Sequence, residues 1–228
     1  MTIHYRSLTT EIEGIGSQNR LRQNWGPYRN VLKRVLDILF VVLALPLVLP
    51  IMLFVTVALW LEGGDPFYMQ ARLGKSGRVF RVWKFRTMVR DADAKLSEIL
   101  ENDPAARREW DETQKLKRDP RITRVGAFLR RSSLDELPQL FNVLRGDMSL
   151  VGPRPMMPDQ LDLYGPYAPS YFALRPGLTG LWQVSERNDA HFIRRAELDA
   201  QYERNLTFGH DVMLLLATFR VVLRGTGY

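Results

Sequence analysis

Residues 38–61 read ILFVVLALPLVLPIMLFVTVALWL, a run without a charged side chain in which Thr56 is the only polar residue. About 20 apolar residues in a helix cross the hydrocarbon core of a bilayer, so this run is long enough to do so. It starts too far from the N-terminus, and is too long, for the apolar region of a secretory signal peptide. The run therefore predicts a permanent membrane element.

Pro46 and Pro50 lie one helical turn apart near the middle of this run. Each lacks an N–H group and its ring crowds the carbonyl four residues earlier, so the helix should bend there. Basic residues flank both ends of the run, and Lys and Arg prefer the cytoplasmic side of a membrane. We therefore predict a re-entrant helical hairpin at 29–62 that enters and leaves on the cytoplasmic face. A kinked single span is the alternative.

Asp37 follows Lys33 and Arg34 by one helical turn at the start of the apolar run. This spacing favours an ion pair with one of the two cations. We predict a structural role for Asp37 rather than a catalytic one.

The composition limits the remaining choices. With 228 residues the chain can form one domain with an appendage, and its lack of cysteine excludes disulfides, thiolate metal sites and cysteine nucleophiles. A net charge of +7 implies an anionic partner, which could be nucleic acid, an anionic lipid surface or a phosphorylated substrate. We divide the chain into a disordered tail (1–28), the membrane helix (29–62) and a domain lying on the membrane (63–228).

The pattern of the domain indicates both strands and helices. Residues 78–88, RVFRVWKFRTM, are rich in aromatic and β-branched side chains and predict a strand or a short amphipathic element. Residues 91–118 predict one or two solvated helices broken at Asp103-Pro104. Asp91-Ala92-Asp93 spells the D-x-D by which many glycosyltransferases hold a metal, although acids in a first helical turn are the commoner explanation. The apolar run at 212–216 is too short to cross a membrane and should be core or lie along the interface.

Residues 130–139, RRSSLDELPQ, combine cations, hydroxyls and two carboxylates at a predicted helix start. A helix N-terminus favours bound phosphate and ionised acids. Asp135 and Glu136, as neighbours on a helix, point in different directions and suit separate roles. Ser133-x-x-Glu136 is also a capping box, which is the structural alternative, but Pro138 would then lie inside the helix rather than at its first position.

Two rigid turns follow. In residues 146–155, GDMSLVGPRP, Arg154 lies between two prolines and can present its planar fork to phosphate oxygens. Residues 174–183, LRPGLTGLWQ, form a second turn that contains Arg175. Either turn alone would be typical of a surface loop.

Several motifs together are more specific than any one of them. In order, they are Lys33-Arg34-x-x-Asp37, the segment 84–88 (KFRTM), the segment 133–143 (SLDELPQLFNV), the segments 146–149 and 152–155, and 175–180 (RPGLTG). In this order the chain resembles the bacterial sugar transferases known as monotopic phosphoglycosyl transferases over about residues 30–228. It is similar to the members that start exopolysaccharide repeat units.

The resemblance implies a predominantly helical α+β fold, with an N-terminal re-entrant membrane hairpin, a small sheet and interfacial amphipathic helices. It also implies transfer of a sugar-1-phosphate from a UDP-sugar to undecaprenyl phosphate, with release of UMP, at the cytoplasmic face of the bacterial inner membrane. The sugar would be galactose or glucose, the partners would include an anionic lipid bilayer, and a homo-oligomer is left open.

The family's roles carry over to particular residues. Asp135 would be the nucleophile of a two-step reaction, and Glu136 would help to hold Mg²⁺, which neutralises the diphosphate. Arg154 resembles the phosphate-binding Arg of the family, with further candidates at Lys84, Arg86, Arg130 and Arg175. Some relatives have Ser before the helix-breaking proline, whereas Leu45 and Leu49 stand there in this chain, which leaves the position of the break open.

A membrane-tethered basic binding or adaptor protein without catalysis is the alternative function. The sequence shows no recognised nucleic-acid-binding fold, and its cations cluster beside the membrane run. We therefore expect no nucleic-acid partner.

Overall fold

The computed structural model describes residues 26–113, 116, 118–185 and 192–223. Most of the tail predicted to be disordered therefore lies outside the described residues. The described part forms these α-helices: α1 (Lys33–Leu61), α2 (Ala92–Asn102), α3 (Pro104–Thr113), α4 (Arg124–Arg131), α5 (Gln139–Arg145), α6 (Leu161–Tyr164), α7 (Ala168–Phe172), α8 (Leu181–Ser185), α9 (Phe192–Arg204) and α10 (Phe208–Leu223). The strands are β1 (Phe67–Leu73), β2 (Val79–Phe85), β3 (Ser149–Val151) and β4 (Gly177–Thr179). The predicted combination of many helices with little sheet is confirmed.

The apolar run forms one long helix. A π-helical turn, Tyr28–Leu32, leads into α1, and together they are the one stretch of the described residues that is long and apolar enough to cross a membrane. The helix continues through Pro46 and Pro50, so neither proline ends it. The re-entrant hairpin stays a prediction.

One stripe of α1 packs against the rest of the chain along the length of the helix. Val41 contacts a cluster that includes Val82 of β2 and Val143 of α5. Further along, Met52 and Val55 belong to a cluster with residues of β2 and α4. The opposite stripe is exposed. An amphipathic helix would have polar side chains there, whereas these are apolar: Leu43, Leu47, Leu53, Phe54, Trp60 and Leu61.

Strands β1 and β2 form an antiparallel hairpin in which Phe67 is opposite Phe85 and Leu73 is opposite Val79. Their connection is a 3-10 turn, Lys75–Gly77, where Ser76 and Gly77 both have positive φ. Of the strand or short amphipathic element predicted at 78–88, the structure has a strand, β2, over Val79–Phe85.

Asn142 attaches the free edge of β2 to α5. Its side-chain oxygen accepts from the backbone N–H of Trp83 (3.0 Å), and its side-chain nitrogen donates to the backbone carbonyl of Arg81 (2.8 Å). Asn142 is fully buried, so these bonds replace a third strand at the point where β2 meets the helix.

The two rigid turns lie side by side, because β3 pairs with β4 in parallel. A Cβ atom on Gly152 would come within 2.4 Å of the Arg175 carbonyl oxygen, and one on Gly177 within 2.1 Å of the Gly152 nitrogen. Glycine is therefore needed at both positions for the two backbones to approach this closely.

The remaining helices follow the sequence pattern. Asp103 separates α2 from α3, as predicted, and its carboxylate accepts from the backbone N–H groups of Ala105 and Ala106. The C-terminal helical region is divided into α9 and α10, and α10 packs Leu214 into a cluster with Val151 and Tyr202. Phe208, Met213, Leu216 and Phe219 of α10 are exposed.

Replacing Asn142 by Leu should destabilise the fold by about 2 kcal/mol or more, because it leaves the Trp83 N–H and the Arg81 carbonyl without partners. Thermal unfolding of the detergent-solubilised protein, followed by circular dichroism, would measure the loss. Asn102→Leu is the control, since Asn102 is exposed and its side chain donates only to the Glu98 carbonyl in its own helix. Equal stability of the two variants would contradict a stabilising role for the two Asn142 hydrogen bonds.

Candidate active site

Asp135 and Glu136 lie in a 3-10 turn, Leu134–Glu136, between α4 and α5. The turn follows Ser133, which has φ of 56° in the left-handed region. The prediction of a helix start at these acids needs correction, because α5 begins only at Gln139, after Pro138. The capping box of Ser133 and Glu136 does not form either, since the Ser133 side chain makes no capping hydrogen bond. Proline prefers a helix start, and the acids are displaced into the preceding turn.

Two predicted phosphate ligands converge on these carboxylates. Lys84 Nζ of β2 lies 2.7 Å from Glu136 Oε1 and 4.0 Å from Asp135 Oδ2. Arg154 Nη2, from the loop after β3, lies 3.6 Å from the same Glu136 oxygen. The structure therefore brings Asp135, Glu136, Lys84 and Arg154 together from three separate parts of the chain.

Arg130 lies close to the site without a direct ion pair to it. Its Nε donates to Thr87 Oγ1 (2.9 Å), and its positive charge acts on the Asp135 carboxyl. Burial lowers the pKa of Arg130, and the neighbouring Asp135 opposes that shift.

The other two cationic candidates contact other groups. Arg86 pairs with the exposed Asp65 at 3.5 Å. Arg175 Nε donates to the carbonyl of Gly146 (2.9 Å). Their roles as phosphate ligands stay predictions.

The Asp135 side chain is buried and is surrounded by charged groups. Asp135 is 9% exposed, and burial raises the pKa of its carboxyl. Lys84 opposes this rise, Glu136 adds to it, and Arg130 and Arg154 oppose it. The cations therefore support the ionised carboxylate that a nucleophile requires.

The donor set around Glu136 limits what metal could bind. No group of three or more His, Cys, Asp or Glu side chains suited to a metal occurs among the described residues. Mg²⁺ keeps several waters and is commonly held by one or two carboxylates together with substrate phosphates. The adjacent oxygen ligands of Asp135 and Glu136 fit such a shared site.

The D-x-D sequence lies at the start of α2. Asp91 is the residue before the helix and Asp93 is in its first turn, and both side chains are exposed. This placement agrees with acids at a helix N-terminus.

Asp37 is buried and has a structural partner, but not the predicted one. Its Oδ1 accepts from the backbone N–H of Leu150 (3.0 Å). Lys33 and Arg34 attract Asp37 electrostatically, but they donate their hydrogen bonds to Asp211 and to the carbonyls at the end of α5. The ion pair prediction was wrong because tertiary partners compete with neighbours on the helix.

Gly126 is a supporting residue that the sequence analysis missed. A Cβ atom there would lie 2.1 Å from the Thr87 carbonyl oxygen, so glycine lets α4 approach the end of β2. This contact allows Arg130 to reach the Thr87 hydroxyl. A lone glycine in a short helix gives no local signal of such a contact.

The chain is similar to known proteins. Residues 28–225 match the bacterial sugar transferase family. The chain belongs to the bacterial sugar transferase family. The predicted resemblance is therefore confirmed.

Individual relatives give the same result. An undecaprenyl-phosphate galactose phosphotransferase of Salmonella typhimurium is 47% identical over 196 residues, 86% of this chain and 41% of the relative. A UDP-galactose-lipid carrier transferase of Erwinia amylovora is 46% identical, also over 86% of this chain and 41% of the relative. The exopolysaccharide production protein ExoY of Sinorhizobium fredii is 44% identical, over 88% of this chain and 89% of the relative. The chain thus spans about two fifths of the first two relatives and most of the third.

Lys84→Met should raise the pKa of the Asp135 carboxyl, because Lys84 is the strongest influence opposing the effect of burial. A ¹³C NMR titration of aspartate carboxyls, assigned with Asp135→Asn, would measure it. Lys95→Met on the exposed face of α2 is the matched control and should leave that pKa unchanged. A pKa that falls or stays the same in Lys84→Met would contradict the described geometry.

Proposed function

We propose that this chain transfers a sugar-1-phosphate from a UDP-sugar to undecaprenyl phosphate and releases UMP. The sugar would be galactose or glucose, and the reaction would be the first membrane step of exopolysaccharide or other glycoconjugate synthesis. The observation that carries the proposal is the convergence of Lys84 and Arg154 on the Asp135-Glu136 pair.

Two cations beside two acids suit a diphosphate substrate. Lys84 and Arg154 can move from Glu136 to phosphate oxygens, since both side chains are partly exposed, at 24% and 34%. Their charges would stabilise the negative charge that phosphoryl transfer spreads over the phosphate oxygens. The Arg154 guanidinium can bind two oxygens at once through its planar fork.

The proposed chemistry has two displacements at one phosphorus atom. An Asp135 carboxylate oxygen attacks the phosphorus that carries the sugar, and the bond from that phosphorus to the bridging oxygen breaks. UMP leaves with the bridging oxygen, and an aspartyl-phosphosugar remains. A phosphate oxygen of undecaprenyl phosphate then attacks the same phosphorus, which frees the Asp135 carboxylate and yields the lipid diphosphate sugar.

Mg²⁺ is the proposed cofactor. Glu136 would hold it, with Asp135 close by and substrate oxygens completing the ligands. When bound, the ion would neutralise diphosphate charge.

The names of the relatives support this choice of donor and acceptor. The Salmonella relative is named for galactose and undecaprenyl phosphate, and the Erwinia relative for UDP-galactose and a lipid carrier. ExoY is named for exopolysaccharide production.

We also propose that both ends of α1 lie on the cytoplasmic face of the bacterial inner membrane. Near the start of the helix, Arg34 donates to the carbonyls of Val143 and Leu144. At its end, Glu62 accepts from the Thr123 hydroxyl (3.0 Å). Because both ends bond to the same domain, these contacts support two ends on one face of the membrane rather than a span that separates its ends by the bilayer.

The Asp135→Asn variant should lose UMP release by about 10³-fold or more, because the amide cannot act as the nucleophile. Purified protein would be incubated with Mg²⁺, undecaprenyl phosphate and UDP-galactose or UDP-glucose, and UMP would be quantified. Without acceptor, intact-protein mass spectrometry should show the added mass of one hexose phosphate on the wild type alone.

Asp91→Asn and Asp93→Asn serve as matched controls and should retain activity. Loss of activity in these controls, with retention in Asp135→Asn, would favour a metal-dependent glycosyltransferase built on the D-x-D sequence. Absence of UMP release by the wild type with either sugar would favour the binding or adaptor function.

Single cysteines would test the topology, because the chain has none of its own. Gly26→Cys and Asp65→Cys place exposed thiols before and after the helix. Neither should react with a membrane-impermeant maleimide in intact bacterial cells with a permeable outer membrane, and both should react after lysis. Labelling of one site only in intact cells would indicate a spanning helix.

A further inference from the structure

The segment Pro153-Arg154-Pro155 is held in an unusual way. Neither proline has a backbone N–H, so this loop can be fixed mainly through its carbonyl oxygens. All three carbonyls accept hydrogen bonds. The donors are Gly177 N to Pro153 O (2.8 Å), Arg195 Nη2 to Arg154 O (2.7 Å) and Arg72 Nη1 to Pro155 O (3.1 Å).

Two of these three donors are arginine side chains from distant parts of the chain. Arg195 is on α9 and is only 6% exposed, and Arg72 is on β1. Burial and the neighbouring charges of Arg154 and Arg195 lower the pKa of Arg72 to about 10. Three guanidinium groups are thus concentrated around one loop at an electrostatic cost, which argues for a role beyond filling space.

Three aromatic rings and a carboxylate hold Arg195 in turn. Its guanidinium lies over the rings of Phe192, Tyr164 and Trp182, with distances of 5.1 to 5.6 Å to the ring centres. Its Nε is 3.9 Å from Asp199 Oδ2, the oxygen that accepts from the Tyr164 hydroxyl at 2.8 Å. Asp199 therefore balances the charge of Arg195, while the Nη2 group of Arg195 remains directed at the loop.

We infer that Arg195, assisted by Arg72, is a positioning residue that sets the Arg154 guanidinium against the phosphate groups of the substrate. This inference rests on the proposed function. Arg154 itself lies 3.6 Å from Glu136 and over the Trp182 ring, so its side chain is aimed at the carboxylates while its carbonyl is tied to α9. A shift of the loop by about 1 Å can cost about 100-fold in rate when it displaces a group that holds the substrate.

Arg195→Gln tests this role in the full-length protein. It should lower kcat/KM for UDP-galactose by about 100-fold. It should also speed hydrogen exchange at the backbone amide of Met156, which donates to the Tyr171 hydroxyl just after the loop. Arg195→Lys, which keeps the positive charge and one hydrogen-bonding nitrogen, should recover part of the activity.

Arg29→Gln is the matched control. Arg29 binds the carboxylate and the carbonyl of Glu203 near the other end of the same helix. Its replacement should lower thermal stability comparably but leave Met156 exchange and most of the activity intact. If Arg195→Gln loses no more activity than Arg29→Gln, the positioning role is wrong.

A double-mutant cycle separates positioning from a general structural effect. In the Arg154→Ala background, Arg195→Gln should weaken UDP-galactose binding, measured by equilibrium dialysis, by no more than about twofold further. If Arg195→Gln weakens UDP-galactose binding as much in the Arg154→Ala background as it does in the wild type, the inference is overturned. If the wild type releases no UMP, the proposed function fails, and Met156 exchange then decides alone: faster exchange in Arg195→Gln supports positioning, and unchanged exchange overturns it.

Discussion

Burial of one stripe of α1 is the constraint on which the rest of the structure depends. Phe85 of β2 and Leu129 of α4 pack on its second half, and Val143 of α5 packs on its first half. Each such buried side chain contributes about 1.5 to 3 kcal/mol. Because the same three elements carry or flank Lys84 and Asp135, the apolar helix also fixes the distances within the site. A site beside this helix fits the proposed acceptor, whose phosphate is attached to a lipid chain.

The site is also defined by an imbalance of charge. Asp135 and Glu136 face Lys84, Arg130 and Arg154, so the cations outnumber the acids in the immediate surroundings. In a largely buried site such an excess favours the arrival of an anion, and the proposed diphosphate substrate would take over contacts now made by Glu136. The same cations keep Asp135 ionisable despite the burial that raises its pKa.

Rigid backbone supports the charged side chains. Asn142 fixes β2 through two backbone groups, and the glycines at 152 and 177 let the two rigid turns approach within backbone contact. Proline residues around Arg154 remove backbone donors, so the loop relies on distant side chains such as Arg195. Local stiffness and remote tethering together leave few conformations to the groups that would bind phosphate.

The sequence by itself determined the long apolar helix, strand β2, the break at Asp103 and the family, because these depend on local periodicity, on proline and on ordered motifs. It also selected Asp135, Glu136, Lys84 and Arg154 as candidate site residues. Only the tertiary structure decided that Lys84 and Arg154 meet Glu136, that Arg86 and Arg175 turn to other partners, and that Arg195 supports the loop. Contacts between residues far apart in sequence depend on how the elements pack on α1, and no local pattern encodes that packing.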